Sequence, residues 1–446
     1  MWLILTHTGP EFRYNIVMGQ QSSGQRWRSV YSLAFGNAID NADGKLLNFI
    51  FPSIRTGLHL NLEALGLLTA IGLLARMLFG PLWALAGDRW NRRTLMFLVT
   101  GVWGVWTILA GLAQTEFQFM VLYTIATLGT VATEPLTSSL TADLFPEADR
   151  GRAFGVLRGV GGLILLVFVP LGIYFTHFAE GWRWALFTVG GLSILSGLFV
   201  LVFVRDPGRG VNEAQKVPDE RLHRGDLKFL WATPSLWVMA VSVTLITSLV
   251  IVSFALTFLT DIRSFGLAQA QIVMAIFGIT FAVSSLVGGS LGDWSHQIAS
   301  FRGRIVLMQV YLAAYAVFTY LCLQVAWPHW VYYPLFFVFG LIAGIGIPGA
   351  VMPLVSSVVL PETRSTAFGF LFSLVQGGAL ALLTWVFPWL ADRFGQTATF
   401  FWMTTAPYLA NALLWFAFYP LVHRDHDRVL AELKRRKELT LETVAD

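Results

Sequence analysis

Residues 144–155 read Leu144-Phe145-Pro146-Glu147-Ala148-Asp149-Arg150-Gly151-Arg152-Ala153-Phe154-Gly155, and residues 360–369 read Leu360-Pro361-Glu362-Thr363-Arg364-Ser365-Thr366-Ala367-Phe368-Gly369. Both stretches separate two apolar runs, and both set Pro-Glu, Arg and Ala-Phe-Gly in the same order. A second pair accompanies them: Leu85-Ala86-Gly87-Asp88-Arg89 in the first half and Ser290-Leu291-Gly292-Asp293 in the second. Two motifs recurring at equivalent places point to a duplicated chain whose halves share one architecture.

The composition names the solvent of those halves. Hydrophobic residues make up 56% of the 446 and charged residues 13%, against roughly a quarter charged in ordinary soluble domains. The 36 Phe, 17 Trp and 41 Gly suit membrane helices, with aromatic belts at the interfaces and small residues at helix contacts. A spanning helix needs about 20 apolar residues. Twelve such windows are predicted, at about 29–53, 64–86, 94–114, 117–143, 153–177, 183–204, 234–259, 268–291, 303–325, 330–358, 366–391 and 398–422. The ten-residue alternation of a membrane β-barrel is absent. The expected fold class is therefore an all-α membrane protein, with twelve transmembrane helices in two pseudo-symmetric six-helix bundles.

Basic residues orient the chain. Arg89, Arg92, Arg93, Arg150, Arg152, Arg205, Arg209, Arg302, Arg304 and Arg364 fall on one side, with Arg26, Arg28 and the run Lys434 to Lys437 in the tails. The other side holds only Arg55, Arg183, Arg263 and Arg393. Both termini are expected in the cytoplasm of a cell with the protein in its inner or plasma membrane. The expected organisation is a leader at 1–28, a bundle at 29–204, a charged linker at 205–233, a bundle at 234–422 and a tail at 423–446. Within the leader, Trp2 to Leu5 is too short for a signal peptide, and Met18 is an alternative start. The single Cys322 excludes an internal disulfide or Cys-based metal site, and His423 with His426 is a weak metal pair in a charged tail. The basic residues are spread over loops, which argues against nucleic acid.

The loop Ala84-Leu85-Ala86-Gly87-Asp88-Arg89-Trp90-Asn91-Arg92-Arg93, the duplicated motif, the loop Gly181-Trp182-Arg183-Trp184 and the six-plus-six split resemble the major facilitator superfamily over nearly all of residues 29–422. The family's two loop glycines are replaced by Ala84 and Asn91. Its usual helix-four arginine falls at Tyr123, and its antiporter motif is degraded to Val169-Pro170-Leu171-Gly172. By this resemblance Asp88 is expected at the start of helix eleven around Ser365, and Asp293 near Gly151. They would act with Arg89, Arg92 and Arg93 as gating loops; topological anchoring by the arginines is the plainer alternative.

Charge inside the apolar windows is confined to the first half: Asp40, Asp43, Lys45, Arg76, Glu134 and Arg158. Such groups are costly in a bilayer and usually face a cavity or a partner. At 1.5 Å per residue, Arg76 lies roughly 18 Å above the Asp88 end, with Asp40 near its level and Glu134 roughly 14 Å deep. Asn37, Asp40, Asn41, Gly44 and Asn48 follow one helical face, a polar stripe for a water-filled path. Expected pairs are Asp40–Arg76 and Glu134–Arg158, serving either proton coupling or merely the joining of helices. A charged first wall and an apolar, aromatic second wall suit an amphipathic solute. Among the resembling family's lipid carriers, the sphingolipid transporters pair an acid in helix one with a Glu in helix four. The expectation is a monomeric, proton-coupled secondary transporter of a small amphipathic or lipid-like molecule, surrounded by membrane lipid. Uptake of a small polar organic anion or sugar, with Arg76 or Arg158 as the anion-binding group, and a non-transporting sensor are the alternatives. No nucleophile–base set, P-loop or cofactor loop is present, so neither an enzyme nor a cofactor is expected.

Overall fold

The computed structural model describes residues 22–58, 62–175, 178, 180–211, 224–246 and 248–445. Among these residues there is no strand. The helices are α1 (Ser23–Leu58), α2 (Leu62–Arg89), α3 (Arg92–Gly111), α4 (Glu116–Leu144), α5 (Arg150–Phe175) and α6 (Gly181–Phe203). They are followed by α7 (Arg224–Trp231), α8 (Pro234–Leu245), α9 (Ser248–Asp261), α10 (Leu267–Leu323), α11 (His329–Val358), α12 (Pro361–Phe394) and α13 over residues 396–445. Six of them, α3, α4, α6, α10, α11 and α12, are long and apolar enough to cross a membrane, or seven if the bent pair α7–α8 is one span. α1 stands outside that group because Arg26, Arg28, Asp40, Asp43, Lys45 and Arg55 lie on it. α10 comprises two of the apolar windows, joined at Ala299 and at Ser300, whose positive φ of 51° turns the chain between them.

Three boundaries differ from the sequence reading. α1 begins at Ser23, inside the stretch read as leader, and Trp27 packs edge-on against Phe145 with ring centroids 4.9 Å apart. The linker contributes an amphipathic helix, α7, and its residues 212–223 lie outside the described residues, as do residues 1–21 of the leader. The tail is no loose appendage. α13 continues through it, and Asp425 accepts from the Ser235 N–H at 2.8 Å while Arg436 pairs with Asp226 at 2.6 Å. His426 sits 3.0 Å from the Ser357 carbonyl, a structural contact.

Apolar side chains gain nothing from leaving lipid for each other, so helices associate in membranes where small residues let backbones approach. The two halves meet in that manner along α5–α10 and α2–α12. A Cβ on Gly155 would stand 2.8 Å from the Ser285 carbonyl of α10, and one on Gly369 would stand 2.6 Å from the Ala84 Cβ of α2. Both seams lie at the ends of the helices that carry the duplicated motif. The duplication is visible in atoms as well. Arg150 donates Nε to the Ala142 carbonyl at 2.9 Å, and Arg364 donates Nε to the Ser356 carbonyl at 3.1 Å, each reaching eight residues back to close the end of the preceding helix. Lysine- or arginine-capped carbonyls at a helix C-terminus satisfy groups that would otherwise be orphaned.

Pro348 in the glycine-rich stretch of α11 removes a backbone donor, and the chain takes a π turn over Ile347–Val351. The Gly349 carbonyl there accepts from Arg304 at 2.8 Å. The stretch is thus a packing bend. Gly155→Val should wedge α5 from α10, costing roughly 1–3 kcal/mol. That cost should register as a lower melting temperature in detergent, while Gly161→Val, which meets nothing within 4 Å, should leave it unchanged.

Candidate functional site

Two layers of charge lie between the halves. The first is at the motif end. Asp88, in the last turn of α2, accepts from the Ser365 and Thr366 N–H groups of α12 at 3.1 and 2.7 Å, and from the Thr366 hydroxyl at 2.6 Å. Asp293 does the same on the other seam, accepting from the Gly151 and Arg152 N–H groups of α5 at 2.8 and 2.6 Å. A carboxylate at a helix N-terminus satisfies orphan donors and meets the positive end of the helix dipole. These are the two contacts expected from the loops. Arg304 adds a buried bond to Asp293 at 2.8 Å and reaches the Glu147 carbonyl at 3.1 Å.

Between these seams stands a residue the sequence reading passed over. Asp143, fully buried in the last turn of α4, accepts from Arg92 of its own half and from Arg364 of the other. Arg92 divides itself between Asp143 and Asp206, the latter at 2.7 Å. Burial pushes the Asp206 carboxyl up, but Arg92, the Gly208 N–H and Arg209 together hold it below the usual carboxylate range. The gating-loop arginines therefore divide. Arg92 is buried in this network, Arg93 donates to the Leu201 carbonyl and Arg89 is exposed.

The second layer is deeper. α4 breaks at residues 131–132 because Pro135 has no N–H for the Val131 carbonyl. A new helical segment starts at Thr133, which places Glu134 in its first turn, where negative charge is favoured. Arg158 of α5 donates to Glu134 at 2.7 Å, and Arg76 of α2 approaches its other oxygen at 3.9 Å. The three side chains keep 25% to 44% of their surface exposed. The second half supplies their apolar neighbours. Arg158 lies 5.1 Å above the Phe372 ring, and a Cβ on Gly377 would be 3.4 Å from the Arg76 side chain.

The Glu134–Arg158 pair forms as expected, whereas the Asp40–Arg76 pair does not. Asp40 turns away from Arg76 into the first half, where Thr100 of α3 donates to it at 3.0 Å and Thr133 of α4 donates more closely. Asp43 likewise accepts from Thr107 at 2.9 Å. The polar stripe of α1 is consequently split. Asn37 and Asn41 stay half-buried and bond each other, with Asn41 donating to the Asn37 carbonyl at 2.6 Å. The side chains of Gly44, Lys45 and Asn48 lie outside the described residues. Tyr123, where an arginine was expected by resemblance, donates to the Asp43 backbone carbonyl at 3.3 Å. The Pro170 region lies on α5, but the surroundings of Val169, Pro170 and Gly172 are not described.

A family model described as the Major Facilitator Superfamily matches residues 33–382. This chain belongs to the Major Facilitator Superfamily. The family is one of membrane transporters, not of enzymes, and the chain is a multi-pass helical membrane protein. Two solved structures share the fold. The proton:xylose symporter XylE aligns over 89% of this chain and 96% of its own with a TM-score of 0.69 at 14% identity. The human organic anion transporter MFSD10 aligns over 89% of this chain and 100% of its own, with a TM-score of 0.67 at 19% identity. Among curated sequences, Protein spinster of Drosophila melanogaster is 24% identical over 212 residues, which is 46% of this chain and 34% of that protein. The sphingosine-1-phosphate transporter SPNS2 of Danio rerio is 23% identical over 184 residues, 40% of this chain and 36% of that protein. The matched segment thus spans about a third of these relatives' length.

Replacing Asp143 leaves Arg364 and Arg92 buried without their shared counter-charge, and breaking such a pair costs about 3–5 kcal/mol. Asp143→Asn should fall near the lower bound because Asp206 still serves Arg92. The expected reading is a melting temperature well below that of Asp206→Asn, together with faster labelling of a cysteine placed at Ser139, which bonds Ser365 across the seam at 2.7 Å.

Proposed function

We infer that this chain is a proton-coupled secondary transporter with twelve membrane-spanning helices in two six-helix bundles, carrying a small amphipathic or lipid-like molecule by alternating access. The observation that carries the reading is partly exposed Glu134 held between Arg158 and Arg76, beside Phe372 and Gly377 of the other half. Protonating Glu134 removes the charge that holds Arg158. The freed guanidinium then offers planar donors to an anionic head group, and the Phe372 face beside it suits an apolar body. Release of the proton restores the carboxylate, re-forms the pair and ejects the ligand. Asp40 remains a proposed second proton acceptor, but it has no arginine contact, so Glu134 is the residue on which coupling rests.

The motif-end seams give the alternating step. With Asp88, Asp143 and Asp293 all bonded across the halves, that end is shut. We place it on the cytoplasmic side, with both termini, from the loop arginines, and the protein in the inner or plasma membrane as a monomer. The spinster and SPNS2 likenesses favour a lipid-like solute, since SPNS2 is named for a sphingosine phosphate. A second reading is uptake of a small polar anion or sugar, favoured by the two arginines and by the XylE and MFSD10 fold likenesses.

The test is proteoliposome uptake of a fluorescent lysophospholipid, and of a labelled carboxylate, under an imposed pH gradient. Glu134→Gln is expected to lose gradient-driven accumulation by roughly tenfold or more while retaining exchange at equal pH. Accumulation that stays gradient-dependent in both Glu134→Gln and Asp40→Asn would falsify proton coupling through these acids. Uptake of the carboxylate alone, abolished by Arg76→Ala, would establish the second reading. Asp88→Asn should slow turnover without lowering the amount of protein in the membrane.

A further inference from the structure

Asp40 and Asp43 of α1 face α3 and α4 within the first half, and Thr133, which bonds Asp40, precedes Glu134 on α4. Asp40 and Asp43 stand one turn apart on α1 and are only 5% and 3% exposed. The hydroxyls of Thr100, Thr133 and Thr107 all donate to the Oδ2 atoms of these two carboxylates. The Oδ1 atom of each is buried without any partner, and among the described residues no basic side chain pairs with either acid. A further observation comes from another helix. Ser193 of α6 is 1% exposed, and its hydroxyl also lacks a partner. Its Cβ stands 2.7 Å from the place a Cβ on Gly104 would take. Gly104 lies between Thr100 and Thr107 on one face of α3, so Ser193 packs on the face of α3 whose threonines bond the two carboxylates.

Two buried carboxylates without a counter-charge are not stable as they stand. Protonation of one carboxyl removes one of the two charges and leaves the other for a cation to balance. A cation uses both orphan Oδ1 atoms and the lone pairs of hydroxyls that already donate elsewhere. Every available donor is a hard oxygen, which selects alkali or alkaline-earth ions over transition metals. Calcium takes six to eight such oxygens and magnesium holds rigid octahedral water, and no trio of acidic, His or Cys side chains exists here among the described residues. We propose that Asp40, Asp43, Thr107 and Ser193 form a binding site for a single Na+ ion. One proton on the pair removes the remaining charge.

The test uses the purified full chain in detergent, its melting temperature followed against NaCl with choline chloride holding ionic strength constant. Wild type should gain stability with Na+ in a saturable manner, as a ligand of the native state requires. Asp40→Asn and Asp43→Asn should abolish the gain, and Glu134→Gln should keep it, which separates this site from the proton-coupling reading. Should the aspartate variants not fold, Ser193→Ala decides: its Na+ midpoint is expected to rise several-fold, and an unchanged midpoint overturns the proposal. Equal melting in Na+ and choline, a Na+ gain that survives in Asp43→Asn, or a gain seen only with Ca2+ or Mg2+ overturns it as well.

Discussion

Asp143 is the carboxylate on which the closed arrangement of the halves depends. It is fully buried, and it takes one arginine from its own half and one from the other. A buried acid so placed would be ruinous alone, and two buried arginines would be worse. Together they form a junction that is satisfied only when the halves are in contact. Asp88 and Asp293 flank it, each seated on the N-terminal amides of a helix from the opposite half. Polar bonds of this kind favour a unique register over great strength, which suits the alternating access we propose.

The deeper layer obeys a different rule. Glu134 owes its position to a helix break made by Pro135, and its charge is shared by two partly exposed arginines. Partial exposure keeps such a pair exchangeable, whereas the full burial of Asp143 makes its bonds structural. The same residue chemistry thus sits fully buried at one depth and partly exposed at another. Asp40 and Asp43 make a third environment, buried and, among the described residues, without a paired base, in which threonine hydroxyls donate to the carboxylates.

Much of this was legible in the sequence. Hydropathy located the apolar windows, and the resemblance to the major facilitator superfamily implied Asp88 beside Ser365 and Asp293 beside Gly151, where they lie. The Glu134–Arg158 pair followed from depth on neighbouring helices. Depth fixes a level along the axis but not a direction around it. That is why Asp40 was matched with Arg76, yet it faces Thr100 and Thr133 inside its own bundle. Asp143 was missed because it lies in a last helical turn, where acids are ordinarily solvated; its neighbour Arg150, paired in the repeat with Arg364, was the available signal. The helical tail was hidden by its charge, since its packing rests on Asp425 and on Leu360, Val429 and Leu433 clustering across distant sequence.

The central claim is our proposal that Glu134 takes the coupled proton, with Asp143 holding the closed seam. Proton uptake on ligand addition, followed with a pH-indicator dye in weakly buffered detergent solution, measures it directly. The account predicts uptake on adding the lysophospholipid in wild type and in Asp143→Asn, and none in Glu134→Gln. Uptake unchanged in Glu134→Gln, or lost only in Asp143→Asn, would contradict it.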